Sequence, residues 1–285
     1  MSARSVALLV ILAALWGASF VFMRVAAPPL GAIALAFARI ALAAAALLAF
    51  AAATARMPAF RARWRGFAIV GVVNSALPFF GFAYAGQYIT ASTAALLNAT
   101  SPFFGALAAA IWLGEALTWK KVAAMVLGCA GVAVIVGWQP GTMDRHALLA
   151  VLACLAGPVC YGLGGTYIKK KMAGVPSFDI ASASLLAATI ALAPATPFAT
   201  IPGPVDGIVM ANVVALALGS TAVAYLIYFR LIAEAGPARA LTVTFLIPLF
   251  GVLWGALFLG EPLSPNLLAG GALIVAGTAV TLRSR

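Results

Sequence analysis

Apolar residues along this chain come in long unbroken runs, interrupted by short clusters of charge or by Pro and Gly. A helix that crosses a bilayer needs roughly 20 predominantly apolar residues. Cutting the chain on that length yields ten spans, at about 5–26, 32–54, 66–87, 91–113, 119–137, 147–168, 177–198, 207–230, 238–259 and 265–282. The alternation of a barrel strand is missing, and Ala and Leu dominate over Thr and Tyr, so the spans are helical. The expected fold is an all-α integral membrane protein with ten transmembrane helices. The first apolar run is too long for the core of a signal peptide and reads as an uncleaved helix.

Composition agrees with the pattern. Of 285 residues, 65% are hydrophobic and 8% charged, more apolar surface than a soluble core of this size can use. The net charge of +11 does not point to nucleic acid, because the basic residues sit in short clusters between spans and form no basic face with interleaved aromatics. Cys129, Cys154 and Cys160 all fall inside apolar runs and read as small packing residues, not as a disulfide framework or a metal site. No cofactor is expected.

Lys and Arg orient the spans. With a cytoplasmic N-terminus, the inner side holds Arg4, Arg56, Arg61, Arg63, Arg65, Lys120, Lys121, Lys169, Lys170, Lys171, Arg230, Arg239, Arg283 and Arg285, and the outer loops hold Arg145 alone. That bias puts both termini in the cytoplasm. A duplicated segment then acquires direction. Pro102, Gly105, Leu113, Gly114 and Glu115 recur as Pro248, Gly251, Leu259, Gly260 and Glu261, always 146 residues later. Five spans per half is an odd number, so the second half is upside down: residues 1–140 and 141–285 are expected to be two five-helix inverted-topology repeats around a central cavity. Such repeats place a substrate site near the midplane, between the halves.

Ionisable groups at membrane depth mark function by default. The six acids, Glu115, Asp144, Asp179, Asp206, Glu234 and Glu261, all lie at span ends or in loops, as does the single histidine, His146. Intramembrane aspartyl, zinc and serine or cysteine hydrolases therefore lack their residues, and so does a proton relay through buried acids. The chain is expected not to be an enzyme. Arg39 is the exception in depth: it is either a structural arginine or a cavity cation that attracts a substrate carboxylate.

Pro78, Pro102, Pro158 and Pro248 interrupt spans and free the carbonyls of Asn74, Asn98, Cys154 and Thr244. Such helices face protein or a wet cavity, so the four prolines are candidate hinges. Helical spacing gathers further candidates. Asn98, Ser101, Gly105, Ala108 and Trp112 share a face of span 4, matched by Thr244, Ile247, Gly251, Trp254 and Phe258 on span 9. With Trp16, Ser19, Asn74, Phe79, Tyr84, Tyr161, Ser220, Tyr225 and Tyr228, these positions suggest a neutral, aromatic cavity with hydroxyl and amide donors, and thirteen residues are the candidates to contact substrate in it: Trp16, Ser19, Arg39, Asn74, Phe79, Tyr84, Asn98, Ser101, Tyr161, Tyr225, Tyr228, Thr244 and Trp254. Gly105 and Gly251 are expected at close backbone approaches. Thr118 and Ser264 fit as N-caps of the following helices, with Glu115 and Glu261 beside those positive helix ends.

The doubled Pro-x-x-Gly and Leu-Gly-Glu, the early Leu15-Trp16-Gly17 and the pair Ala36 and Arg39 resemble the drug/metabolite transporter superfamily, EamA type, over essentially the whole chain. That resemblance implies a multi-pass protein of the bacterial cell (inner) membrane that exports amino acids and related metabolites through a central cavity, with the fifth and tenth helices peripheral. A YddG-like aromatic amino-acid exporter is the sort of member it suggests, although no motif fixes that substrate. The small multidrug relatives use a membrane glutamate that is absent here, which makes cationic-compound export the weaker alternative. A membrane enzyme or lipid scramblase is the alternative from another class. The partners expected are a small-molecule substrate and lipid, without nucleic acid, for a protein that works as a monomer.

Overall fold

The computed structural model describes residues 2–136 and 144–283. The boundary expected at 140/141 between the halves lies outside the described residues. Among these residues eight helices are long and apolar enough to cross a bilayer: α1 (Ala3–Leu30), α2 (Ala32–Ala53), α3 (Trp64–Tyr88), α4 (Ala91–Leu113), α5 (Trp119–Val136), α6 (Arg145–Lys171), α7 (Ser177–Phe198) and α8 (Gly207–Ala235). Two shorter apolar helices, α9 (Val243–Leu259) and α10 (Pro265–Thr281), complete the ten. Span 9 starts later than the pattern indicated. Pro237–Ala240 forms a separate helical turn, and the chain turns at Leu241–Thr242 before α9 begins. Span 6 starts earlier, so His146 lies in the first turn of α6 and stacks on Tyr88, ring centres 5.3 Å apart.

Helix ends follow local chemistry. Ser2 caps α1 through the Ser5 N–H at 3.1 Å, Asp206 caps α8 through Val209 at 2.8 Å, and Ser264 accepts from the Leu267 N–H at 3.2 Å. Gly31, at φ +74, makes the turn between α1 and α2. Arg24 serves a helix end, donating through Nη1 to the last carbonyls of α3, Gly86 at 2.9 Å and Gln87 at 3.0 Å.

Packing rests on small residues, since lipid tails are as apolar as the helices and supply no hydrophobic drive between them. α1 is the hub, against α2, α3, α8 and α9, and its contact with α9 is matched by that of α6 with α4. A Cβ on Gly17 of α1 would come 2.7 Å from the Phe250 Cβ of α9, and one on Gly162 of α6 would come 2.6 Å from the Phe104 carbonyl carbon of α4. Phe104 and Phe250 are themselves 146 residues apart. α5 and α10 pack chiefly on each other, crossing where a Cβ on Gly131 would meet the Gly270 carbonyl at 2.6 Å. The outer surface is apolar, with Ile111 at 70% and Ile208 at 67% exposure, as lipid contact requires.

Helix geometry breaks around the middle of the bundle. α3 and α8 each contain a stretch of π-helix, Val72–Ala76 and Ala215–Val223, and Asn74 and Ser220, which lie within them, are 146 residues apart. α4 breaks at Ala99–Thr100, immediately before Ser101 and Pro102. The freed carbonyls are answered from within: Asn98 accepts from Ser101 Oγ at 2.6 Å, Leu97 from Thr100 Oγ1 at 2.7 Å, and Ala99 from Thr278 Oγ1 of α10 at 2.7 Å. Pro248, by contrast, sits inside the continuous helix α9.

Candidate functional site

The interruptions of α3, α4 and α8 surround a cavity of about 610 Å³. Its lining comes mainly from α1, α2, α3, α4, α6, α8 and α9, and its mouth holds Leu113, Glu115, Lys121 and Lys169. Eleven of the thirteen candidate cavity residues line it: Trp16, Ser19, Arg39, Asn74, Phe79, Asn98, Ser101, Tyr161, Tyr225, Tyr228 and Thr244. Two do not. Tyr84 packs at a tilt against Tyr88 with ring centres 5.2 Å apart, next to the start of α6. Trp254 donates through Nε1 to the Ala14 carbonyl at 3.1 Å and packs between Phe250 and Phe258. Helical periodicity placed both on polar stripes, but an aromatic that closes an interhelical seam shares the stripe of one that faces a void. Of the candidate hinges, only Pro102 lines the cavity; Pro78, Pro158 and Pro248 do not.

The Leu-Trp-Gly sequence divides its work by residue. The Leu15 carbonyl accepts from Ser220 Oγ, Trp16 turns its ring into the cavity beside Tyr228 at 5.4 Å and Tyr225 at 6.5 Å, and Gly17 lets α9 cross.

Arg39 is buried at 6% exposure on α2. Its Nε donates to Thr221 Oγ1 at 3.1 Å, Nη1 lies 3.5 Å from the Met23 sulfur, and the guanidinium carbon sits 3.7 Å from the Phe79 ring centre, a cation–π contact. The Thr221 hydroxyl in turn donates to the Leu216 carbonyl at 2.9 Å, a five-residue step made possible by the π-helical stretch. The sequence reading missed Thr221, although it adjoins Ser220, the 146-residue counterpart of Asn74. It also missed the apolar wall of Phe20, Met23 and Phe82, which is chemically indistinct from ordinary packing.

The two glutamates of the repeated motif have different partners. Glu261 reaches across to α4: Oε1 accepts from the Ala91 N–H at 2.6 Å, and Oε2 from the Ser92 N–H at 2.9 Å and Ser92 Oγ at 2.6 Å. It caps the helix opposite rather than the one that follows it, and its charge meets the positive end of that helix. Glu115 pairs instead with Lys169 Nζ of α6, both side chains exposed, and that hydrogen bond holds its carboxyl below the usual carboxylate range. Both glycines lie at the expected close backbone approaches, since a Cβ on Gly162 would come 2.8 Å from the Gly105 nitrogen and one on Gly17 would come 2.9 Å from the Gly251 nitrogen, but the faces that the two glycines themselves present differ. A Cβ on Gly251 would come 2.3 Å from the Ala95 Cβ, whereas one on Gly105 would meet nothing within 4 Å, because Gly105 faces the cavity. The cavity is therefore open at the Glu115 end and sealed at the Glu261 end.

Known proteins are similar to this chain in architecture and in sequence. A solved crystal structure superposes with a TM-score of 0.66 at 21% identity, covering 98% of this chain and 96% of its own. An uncharacterized transporter of Bacillus subtilis, YvbV, is 28% identical over 95% of this chain and 89% of its own. A "Probable terminal-alkyne amino-acid exporter" of Streptantibioticus cattleyicolor is 31% identical over 67% of this chain and 63% of its own. An S-adenosylmethionine/S-adenosylhomocysteine transporter of Chlamydia muridarum is 27% identical over 67% of this chain and 64% of its own. The model of the EamA-like transporter family matches residues 4–137 and again 148–283. With ten apolar helices around one cavity and a family match along nearly its whole length, the chain belongs to the EamA-like transporter family and is a membrane transporter, not an enzyme.

Proposed function

We propose that this transporter exports small metabolites, amino acids first among them, by alternating access between two inverted repeats, residues 1–140 and 141–285. The observation that carries the reading is the unequal closure of the cavity: its two ends carry the same motif, and only one is shut. An inverted pair of repeats can exchange those roles and present the same site to the other side. The positive-inside bias orients both termini to the cytoplasm of a cell-membrane protein, so the open Glu115 end faces the cytoplasm, where an exporter loads. Pro102, at the break in α4 and in the cavity wall, is the candidate hinge closest to the site. The name of the Streptantibioticus relative supports amino acids as the cargo class.

The test is reconstitution of the full chain into liposomes, followed by counterflow of radiolabelled amino acids. Labelled substrate should accumulate above empty liposomes in vesicles preloaded with the same unlabelled amino acid. Equal counts with and without protein, across neutral and aromatic amino acids, would reject the reading.

A further inference from the structure

Arg39 brings a positive charge to the wall of the central cavity with no acidic partner. The ion pairs among the described residues are Glu115 with Lys169 and Glu234 with Arg230, and Glu261 and Asp206 are taken up by helix N-termini. A buried charge is costly unless it is paired and hydrogen-bonded. Arg39 is satisfied only in part. Nε has Thr221 and Nη1 has a sulfur, but Nη2 has no acceptor among the described residues. No fully buried side-chain nitrogen or oxygen lacks a partner there, so Nη2 keeps its surface open to the cavity that Arg39 lines. The hydroxyls of Tyr161, Tyr225 and Tyr228 and the Asn74 amide are likewise without hydrogen bonds among the described residues, and their residues line the same space.

We infer that Arg39 is the specificity-determining residue of the cavity, a receptor for a substrate carboxylate, and that the amino group of an amino acid is not read by charge. The inference rests on the transport reading above and names its substrate class: aromatic or apolar compounds with one free carboxylate. The chemistry is one-sided. A carboxylate supplies the missing countercharge and accepts from Nη2, and a guanidinium fixed from one side by Thr221 and Phe79 offers that edge in a set direction. An ammonium group finds no carboxylate on the cavity wall beyond Glu115 at its mouth. It meets tyrosine hydroxyls, the Asn74 and Asn98 amides and aromatic faces, groups that accept a proton donor without requiring positive charge. The apolar part of the substrate meets Trp16, Phe20, Phe79 and Phe82. A substrate with only a positive charge would stand beside the Arg39 cation uncompensated.

The experiment measures competition against radiolabelled L-phenylalanine counterflow on the wild-type full chain. The competitors are 3-phenylpropionate, which lacks the amino group, and phenethylamine, which lacks the carboxylate. The phenylpropionate should compete within about threefold of L-phenylalanine, and phenethylamine at least tenfold more weakly, the difference one charge-assisted hydrogen bond makes. In Arg39→Gln, binding of phenylpropionate by titration calorimetry should fall at least tenfold, with Arg39→Lys intermediate. If that variant does not fold, the wild-type series decides alone. Equal or stronger competition by phenethylamine, or failure of phenylpropionate to compete, overturns the inference while leaving amino-acid transport standing. If other amino acids move but L-phenylalanine neither moves nor binds, the stated class is wrong although the transport reading survives. If no amino acid moves, the transport reading itself falls.

Discussion

The two copies of the Pro-x-x-Gly and Leu-Gly-Glu segment are nearly the same in sequence and opposite in environment. Each ends in a left-handed glycine, Gly114 at φ +68 and Gly260 at φ +63. In each the next N–H folds back to the last turn, from Glu115 to the Ala109 carbonyl at 3.3 Å and from Glu261 to the Gly255 carbonyl at 3.1 Å. The local turn is thus one structure written twice. Beyond it the copies diverge. In the second, Gly251 lies against Ala95 and Glu261 against Ala91 and Ser92, with Gly255 leaving the room, since a Cβ there would fall 2.5 Å from both the carboxylate and the Ser92 hydroxyl. In the first, Gly105, Ala109 and Glu115 line the open cavity. A duplicated sequence in a transporter need not hold duplicated contacts; the difference between the copies marks which end of the cavity is shut.

The strongest way to break this comparison is steric. Gly251→Val puts side-chain atoms where Ala95 already sits and should cost about 1–3 kcal/mol, read as a clear drop in thermal midpoint of the purified protein. Gly105→Ala should leave the midpoint unchanged, and equal losses at the two glycines would contradict a sealed second copy. Next in size is Glu261→Gln, which exchanges charge-assisted bonds to α4 for neutral ones at about 1–3 kcal/mol. Spin labels at Gln87 and Leu263, with the native cysteines replaced, should show a narrow distance distribution that broadens in the variant; an unchanged distribution would mean that the glutamate does not hold this end shut. The smallest effect belongs to Glu115→Gln. Its side chain and that of Lys169 are 42% and 66% exposed, so the pair is worth under about 0.5 kcal/mol. Because Lys169 lowers the Glu115 carboxyl, the contribution of this pair is complete above the ordinary value of 4.5 and is lost only as the pH falls through a lower one. Stability attributable to this pair should therefore be flat between pH 7 and pH 5, which a comparison of wild-type and variant midpoints across that range checks.

Much of the molecule was legible beforehand because lipid leaves the chain few choices. Backbone groups in hydrocarbon must bond within their own segment, so run length sets the spans. The late start of α9 escaped this logic, since Gly236, Pro237 and the Leu241–Thr242 turn sit inside a run that composition alone keeps continuous. Arg39 and the tyrosines stood out as polar groups at depth. Tyr84 and Trp254 stood out equally and went elsewhere, because the direction a residue faces depends on which helix crosses it.

The ten helices, the Gly-Glu turns and the polar inventory of the cavity follow from residue type and spacing along one segment. It took the packing of helix on helix to make Glu261 cap α4 while Glu115 pairs with α6, to press Gly251 against Ala95 while Gly105 borders a void, and to set Arg39 against Thr221 and Phe79. Each of those depends on how near one helix comes to another. In the alternating-access reading proposed above, that distance is the quantity that changes, and a sequence common to both states carries no record of which end is shut.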